Sequence, residues 1–301
     1  MKKNLISIIL TLYNKRPFIE ETIFSIYNQT YTNRELIIVD DCSTDESFEI
    51  AKSFCKKLWI IEKCKFVQNE KNLWVAKTFE RWLQEATWEY IAMCDWDDIL
   101  IKDKLEKNIS FCNQWNYDFI YSYCIPIDDN NNVIWKPIIL NFKWYKKSFR
   151  FWVAIGSSIF FSSKHLTQLL SIGFPYNIAQ DFFVEIFSCF NNHRIWEQKE
   201  VLYYYRKSAL SISNRVDWSL KSYIRWRRDK VYAAKYLLEK KIYYNLEMKK
   251  FLENEVDCNK IVVNYLEWKT NVFSAASKII KNWYLYWIFY LWNWFVHKYL
   301  K

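Results

Sequence analysis

Leu5-Ile6-Ser7-Ile8-Ile9-Leu10-Thr11-Leu12 and Leu36-Ile37-Ile38-Val39-Asp40-Asp41 bracket the stretch Pro17–Gln29, in which Ile19, Ile23, Ile26 and Tyr27 recur at helical spacing. This is a strand-helix-strand unit whose strands are apolar without alternation, as strands covered on both faces are. Outward from it, Thr44–Lys56 predicts a helix with Ser43 or Thr44 as its N-cap, Trp59–Val67 a third strand, Val75–Ala86 a further amphipathic helix and Tyr90–Cys94 a fourth strand. The alternation implies an α/β fold, with a mainly parallel, doubly wound, Rossmann-like sheet between helical layers. In such sheets ligands gather at the carboxyl ends of the strands. Asp40-Asp41 and Asp95-Trp96-Asp97-Asp98 each follow an apolar strand directly and therefore fall on that edge.

Past Asp98, Lys102–Gln114 predicts a helix, Phe119–Cys124 a strand, Asp128–Asn132 a turn and Ala154–Phe161 another strand, with a basic, aromatic variable loop up to Phe149. The later chain reads as helices at Trp218–Lys240, Tyr244–Val256 and Lys260–Lys281, which sets a boundary near 213 between a 1–213 domain and a basic helical extension, 214–301. Charge follows the same division. The net +10 lies wholly in the last third, where residues 201–301 hold 19 Lys/Arg against 8 Asp/Glu. Such an appendage faces an anionic partner, phospholipid headgroups or nucleic acid, or is a solvated basic face. The eight Cys form no Cys-x-x-Cys pair and have no His at ligand spacing, so a reduced, cytoplasmic chain fits better than a disulfide or thiolate-metal scaffold. No small-residue cleavage site follows Leu5–Leu12, which reads as a strand and not as a signal peptide.

Five carboxylates on one sheet edge raise one another's pKa unless a cation pairs them. A divalent ion does this, because Mg²⁺ is held by one or two carboxylates together with substrate phosphates and Mn²⁺ shares the preference for oxygen. The competing reading of Asp-x-Asp-Asp alone is a solvated acidic turn. His165, His193 and His297 are scattered, and no Ser/His/Asp or Cys/His arrangement calls for a covalent nucleophile.

Ser7–Asn14, Ser25-Ile26-Tyr27-Asn28-Gln29-Thr30-Tyr31, Glu35–Asp45, Asn72–Ala76, Ala86–Ala92, Asp95-Trp96-Asp97-Asp98, Gln180-Asp181 and Tyr205-Arg206 together resemble the inverting family 2 glycosyltransferases of the GT-A fold. The resemblance covers roughly residues 5–213. It implies that Asp41 contacts the nucleotide base, Asp95 the nucleoside, and Asp97 a Mg²⁺ or Mn²⁺ ion on the diphosphate. Thr11, Tyr13, Asn14, Asn72 and Arg206 join the nucleotide-sugar site, and Asp181 is the general base toward the acceptor. For Arg206, bidentate pairing with a phosphate and a strand-edge surface position stay equally open. Thr11 stands where the family usually has proline, Gln180 where it has glutamate and Ser208 where many members have histidine. The implied function is metal-dependent, inverting transfer from a nucleotide sugar to a glycan or lipid-linked acceptor in cell-surface polysaccharide synthesis. Two other classes compete: a catalytically inactive scaffold, and a basic nucleic-acid binder that leaves the Asp clusters unexplained; under the glycosyltransferase reading no nucleic-acid partner is expected. A sugar nucleotidyltransferase would want a glycine-rich loop after the first strand, and Asn14-Lys15-Arg16 lacks one.

The chain has 2 Gly and 17 Trp, whereas an average composition of about 7% Gly would give roughly 21 glycines. The family pattern places glycine at Trp74, Trp82 and Trp88 and a small residue at Trp96. The expectation is that the gene uses UGA for glycine and was translated with a table reading UGA as Trp; the competing reading is a true Trp-rich protein. At the far end, Trp283–Val296 is an apolar, aromatic run between Lys278, Lys281, Lys298 and Lys301. It is too short for a bilayer span of about 20 residues. It suits the interface at the inner face of an anionic membrane, or a C-terminal helix docked on the catalytic domain.

Overall fold

The computed structural model describes residues 4–73, 77–78, 80–81, 89–139, 156–173, 180–191, 193–208 and 220–276. Most of the expected helix Val75–Ala86, most of the variable loop, the run Trp283–Val296 and Trp74, Trp82 and Trp88 lie outside the described residues.

The first half follows the expected alternation: β1 (Ile6–Leu12), α1 (Ile19–Tyr27), β2 (Arg34–Asp40), α2 (Ser47–Lys57), β3 (Cys64–Gln68) and β4 (Tyr90–Asp95). Then come β5 (Ile99–Leu100), α3 (Lys104–Trp115), β6 (Phe119–Ile127), β7 (Ile159–Ser162), α4 (Ser163–Ile172), α5 (Gln180–Phe190), β8 (Ile195–Arg206), α6 (Leu220–Glu239) and α7 (Leu246–Ala276). Among the described residues the strands form one sheet in the order β3-β2-β1-β4-β7-β6-β8-β5. The β3-β2-β1-β4 half is parallel. The other half is mixed, because β7 runs antiparallel to both β4 and β6 while β6 and β8 are parallel.

The unbroken apolar runs are explained by where alternate residues go. Ile6, Ile8, Leu10, Leu36, Ile38, Ala92 and Cys94 enter one buried cluster with Ile19, Ile23 and Ile26 of α1, Phe48 of α2 and Leu105 and Ile109 of α3. Ile9, Ile37, Val39, Ile91 and Met93 enter a second, with Phe183, Phe187 and Phe190 of α5. Each Ile or Leu fully buried in this way contributes roughly 1.5–3 kcal/mol, so a one-residue slip in register would expose a whole face. The second cluster also takes in Ala233, Ala234 and Leu237 of α6 and Phe251, Leu252 and Val256 of α7. Phe190 and Phe251 stack at 6.2 Å, and the Tyr236 hydroxyl donates to the Ile172 carbonyl at 2.7 Å. The C-terminal helices therefore share a core with the sheet.

Several boundaries differ from the sequence reading. Helix α2 starts at Ser47 with Glu46 at its N-cap position and not with Ser43 or Thr44, because the Ser43 hydroxyl is bonded to Asp40 and the Thr44 amide to Asn14. The third strand starts at Cys64 instead of Trp59, because Trp59 and Ile60 close the end of α2 and Ile61–Lys63 makes a 3-10 turn. Gly156–Ser158 is likewise a 3-10 turn, leaving Ile159–Ser162 as the strand. The helix break expected at Asp257–Asn259 does not occur: the Asn259 amide donates back to the Glu255 carbonyl and carboxylate at 2.7 and 2.9 Å, and its oxygen accepts from Arg227 at 2.7 Å, so these polar residues are satisfied inside α7.

Candidate active site

Parallel pairing places the ends of β1, β2 and β4 side by side. Leu12 lies opposite Asp40, and Thr11 lies opposite Asp95. Asp40 is fully buried and structural: its carboxylate accepts from the Ser43 amide and from Gln68 Nε2, both at 3.0 Å, and from the Ser43 hydroxyl. Asp41, the next residue, turns to the opposite side. Its Oδ1 accepts from Asn69 Nδ2, the Leu73 amide and the Thr78 hydroxyl, each at 2.8 Å. One oxygen of Asp41 is thus held by the 69–78 segment, fixing the direction in which the other presents itself.

The β1–α1 turn is tied to the β2–α2 turn. Asn14, with φ 52, accepts from the Thr44 amide at 2.7 Å through its side chain and donates its own amide to Ser43 Oγ at 3.0 Å. A left-handed Asn is among the least costly non-glycine choices at such a point. Tyr13 is exposed above this turn and Asn72 is exposed on the facing loop. Lys15 is buried, its ammonium 3.5 Å over the Trp96 ring.

Asp95, Asp97 and Asp98 crowd the end of β4. Burial, and after it the charges of Asp97 and Asp181, push the Asp95 carboxyl up to about 8. Asp98, fully buried, is held well above the usual carboxylate range by burial and then by Asp97 and Asp95. The influence of Asp181 on Asp95 brings the first turn of α5 to this carboxylate edge, 86 residues further along the chain. Asp98 points inward: Oδ1 accepts the Arg206 amide at 2.9 Å. Lys104 lies beneath, fully buried and bonded to Ser122 at 3.4 Å; burial lowers it to about 8, against the opposing pull of Cys94 and Asp98.

Residues the sequence reading did not single out hold this loop. The Asp95 amide donates to Ser157 Oγ at 2.8 Å. Gly156 packs so tightly on the Asp95 carboxylate that a Cβ there would fall 2.7 Å from Oδ1 and 2.8 Å from Cγ. Thr22 of α1 donates to the carbonyls of Trp96 and Asp98 at 2.9 and 3.0 Å, Ser25 accepts the Leu100 amide at 3.1 Å, and Gln29 donates to the Ile101 carbonyl and accepts the Leu105 amide. The polar face of α1 is therefore a rack for residues 96–105. From the other side, β8 runs past β6 through two register shifts, and such bulges re-aim a strand's end. Its Tyr203 and Tyr204 pair with β5, and Arg206 arrives under the acidic loop.

Arg206 is 1% exposed. Its Nε donates to the Asp97 carbonyl at 2.9 Å, one terminal nitrogen to the Asp128 carbonyl at 2.9 Å and the other to Glu21 Oε2 at 2.7 Å, while the guanidinium stacks 4.6 Å from the Phe18 ring. All three nitrogens meet protein partners, so of its two readings in the sequence the strand-edge surface position is not the one found. His165 and His193 lie at the other end of β6 and α5, packed 4.4 Å apart, away from the carboxylate edge.

The donors at the edge fit a hard divalent ion. They are all oxygens, and Asp95 and Asp97 are mutually repelling carboxylates. Among the described residues no group of three His, Cys, Asp or Glu converges on one point, and one or two carboxylates are what a Mg²⁺ site completed by substrate phosphates asks of a chain.

A family model described as Glycosyl transferase family 2 matches residues 7–169. The chain belongs to that family. Relatives with matching segments include the Bacillus subtilis glycosyltransferase TuaG, whose name assigns it to teichuronic acid biosynthesis. It is 38% identical over 120 residues, 40% of this chain and 46% of TuaG. A second is Escherichia coli WfgD, named UDP-Glc:alpha-D-GlcNAc-diphosphoundecaprenol beta-1,3-glucosyltransferase, 34% identical over 45% of this chain and 51% of its own. The chain thus spans about half the length of these curated relatives. The fold is that of Staphylococcus aureus TarS 1-349 in complex with UDP-GlcNAc (TM-score 0.60, 20% identity, 76% of this chain and 66% of TarS). It is also that of the mannosyltransferase PcManGT from Pyrobaculum calidifontis in complex with GDP-Man and Mn²⁺ (TM-score 0.61, 16% identity, 98% and 81%). Both are GT-A structures, so the fold expected from the sequence is the fold found.

Proposed function

We propose that the chain transfers a sugar from a nucleotide-sugar donor to a glycan or lipid-linked acceptor in cell-surface polysaccharide synthesis, in one displacement that inverts the anomeric carbon. The observation that carries this reading is the convergence of Asp41, Asp95, Asp97 and Asp181 on one sheet edge from two separate strand ends and a helix start. The names of the relatives support it, since WfgD takes UDP-Glc and a diphosphoundecaprenol-linked acceptor by its name, and two structures of this fold hold UDP-GlcNAc or GDP-Man.

In this reading Asp41, with one oxygen held by Asn69, Leu73 and Thr78, accepts a hydrogen bond from the base. Thr11, Tyr13, Asn14 and Asn72 border the nucleotide, and Asp95 contacts the nucleoside. Asp97 holds Mg²⁺ or Mn²⁺; the ion, when bound, neutralises charge on the departing diphosphate. Asp181, at the mouth of the site, takes the proton of the acceptor hydroxyl as its oxygen attacks. Arg206 acts as a positioning residue: its bonds to the Asp97 carbonyl and to Asp98 set the loop that carries the metal ligand. Asp181→Asn tests the assignment. Transfer should be lost with donor binding retained, and loss of donor binding would move Asp181 to the nucleotide site.

The acceptor reading places the chain at the inner face of the membrane. No helix among the described residues is long and apolar enough to cross a membrane, and the basic helices with the run Trp283–Val296 are the proposed contact. A chain ending at Asn282 should lose binding to anionic vesicles in flotation; under the docked-helix reading neither chain floats and the shortened one is less stable.

A further inference from the structure

We propose that the protein made in its own host carries glycine at position 59, read from a UGA codon, and that the same decoding applies at positions 74, 82 and 88. Helix α2 ends at Lys57, and the residues after it form a complete Schellman cap: the Trp59 amide donates to the Lys56 carbonyl at 3.0 Å and the Ile60 amide to the Cys55 carbonyl at 3.1 Å. The cap requires a left-handed residue at its C′ position, and Trp59 has φ 57. Glycine is the usual occupant, because without a Cβ it reaches this region at no steric cost.

Backbone geometry alone does not settle the residue. Lys241 forms the same cap after α6, with φ 55 and the Ile242 amide on the Leu237 carbonyl. Lys241 differs in having a charged side chain that water solvates well. Trp59 holds a large apolar indole 92% exposed at a point where a side chain also strains the backbone. No hydrogen bond or ring contact reaches the indole among the described residues.

Two other tryptophans, Trp115 and Trp135, are exposed as well. Of the five whose side chains are described, none is buried: Trp115 and Trp135 are 51% and 65% exposed, and Trp96 and Trp226 are half-buried. Genuine Trp is among the more buried residues on average, yet the large side chains of this core are Phe and Tyr. Trp96 and Trp226 mark the contrast, since Lys15 lies 3.5 Å over the first ring, and Lys230 at 3.7 Å and Arg227 at 5.4 Å over the second. Added to 2 Gly against 17 Trp, a glycine-type cap filled by an exposed indole is what misread UGA codons would produce.

Two measurements test this. The codon at position 59 should be UGA, and the tryptic peptide Leu58–Lys63 isolated from the host should have the mass of the glycine form; a UGG codon or the tryptophan mass overturns the proposal. In recombinant protein, Trp59→Gly should melt about 2–4 °C above Trp59→Ala, since both lose the indole and only alanine keeps a Cβ in the left-handed region. Equal melting temperatures would remove the structural ground for glycine at this cap.

Discussion

Gly156→Ala adds one methyl group at the tightest point of the acidic edge. The new Cβ would lie 2.7 Å from Asp95 Oδ1, 2.8 Å from Cγ and closer still to Oδ2, where ordinary contact begins near 3.4 Å. A gap of about 0.7 Å or more must open. The Asp95 side chain is short, its backbone is held in β4 opposite Thr11, and its amide is bonded to Ser157. The carboxylate therefore has to rotate away from the position at which the proposed nucleoside contact is made, or the Gly156–Ser158 turn must lift and release Ser157. Overpacking of this kind costs about 1–3 kcal/mol of stability, while a displacement near 1 Å in a site costs on the order of 10²-fold in rate. The assay is turnover of the donor used by the wild type, beside thermal unfolding. A variant that stays folded, binds donor more weakly and turns it over about 100-fold more slowly is the expected result. Unchanged turnover would refute the claim that Gly156 fixes the Asp95 carboxylate for catalysis.

Other expectations follow from the same geometry. Arg206→Ala should destabilise by about 3–5 kcal/mol in urea unfolding, because it strips a buried guanidinium from its partners; Arg206→Lys should stay more stable than Arg206→Ala yet lose kcat, since one ammonium cannot serve the Asp97 carbonyl, the Asp128 carbonyl and Glu21 together. Asp97→Ala should remove metal-dependent transfer with little loss of stability, and metal-dependent turnover in that variant would take Asp97 out of the site. Burial, and then the neighbouring His193, holds His165 well below its usual value, and burial lowers His193 against the pull of Asp118. The unfolded chain then binds more protons below pH 6.5, so this pair's contribution is intact above that pH and is lost as pH falls through and below it. Asp95 and Asp98, raised in the folded state, slope the other way. The His term is therefore read as the difference between wild type and His165→Gln: the wild type should lose more stability than the variant between pH 7.5 and 5.5, and parallel curves would contradict it.

The strands carrying the site were legible because Ile6–Leu12, Leu36–Val39 and Tyr90–Cys94 are buried on both faces and must be continuously apolar, and their terminal aspartates could only fall on one edge. Apolar character misled at Trp59–Ile61, where three β-like residues cap a helix instead of pairing. Polarity misled at Asp257–Asn259, since no local pattern shows that Asn259 will be satisfied by Arg227 and Glu255. β8 went unread because Glu197-Gln198-Lys199-Glu200 looks solvated, although Glu197 and Gln198 pair with β6 and the pairing resumes at Val201 after a register shift. Arg206 shows the limit most plainly: its partner Glu21 is 185 residues away and equivalent in sequence to any exposed helix glutamate. Gly156 had a signal, being one of two glycines in a chain almost without them.

The central claim is nucleotide-sugar transfer at the Asp41, Asp95 and Asp97 edge. Its most direct test is to offer a panel of nucleotide sugars, with Mg²⁺ or Mn²⁺ and a lipid-linked acceptor, to protein carrying glycine at positions 59, 74, 82 and 88, and to the same protein with Asp97→Ala, and to identify the products. The account predicts that one donor is consumed, its nucleoside diphosphate released and the sugar delivered with inverted configuration, in the first protein and not the second. Retained configuration, or equal turnover by the Asp97→Ala protein, would contradict it.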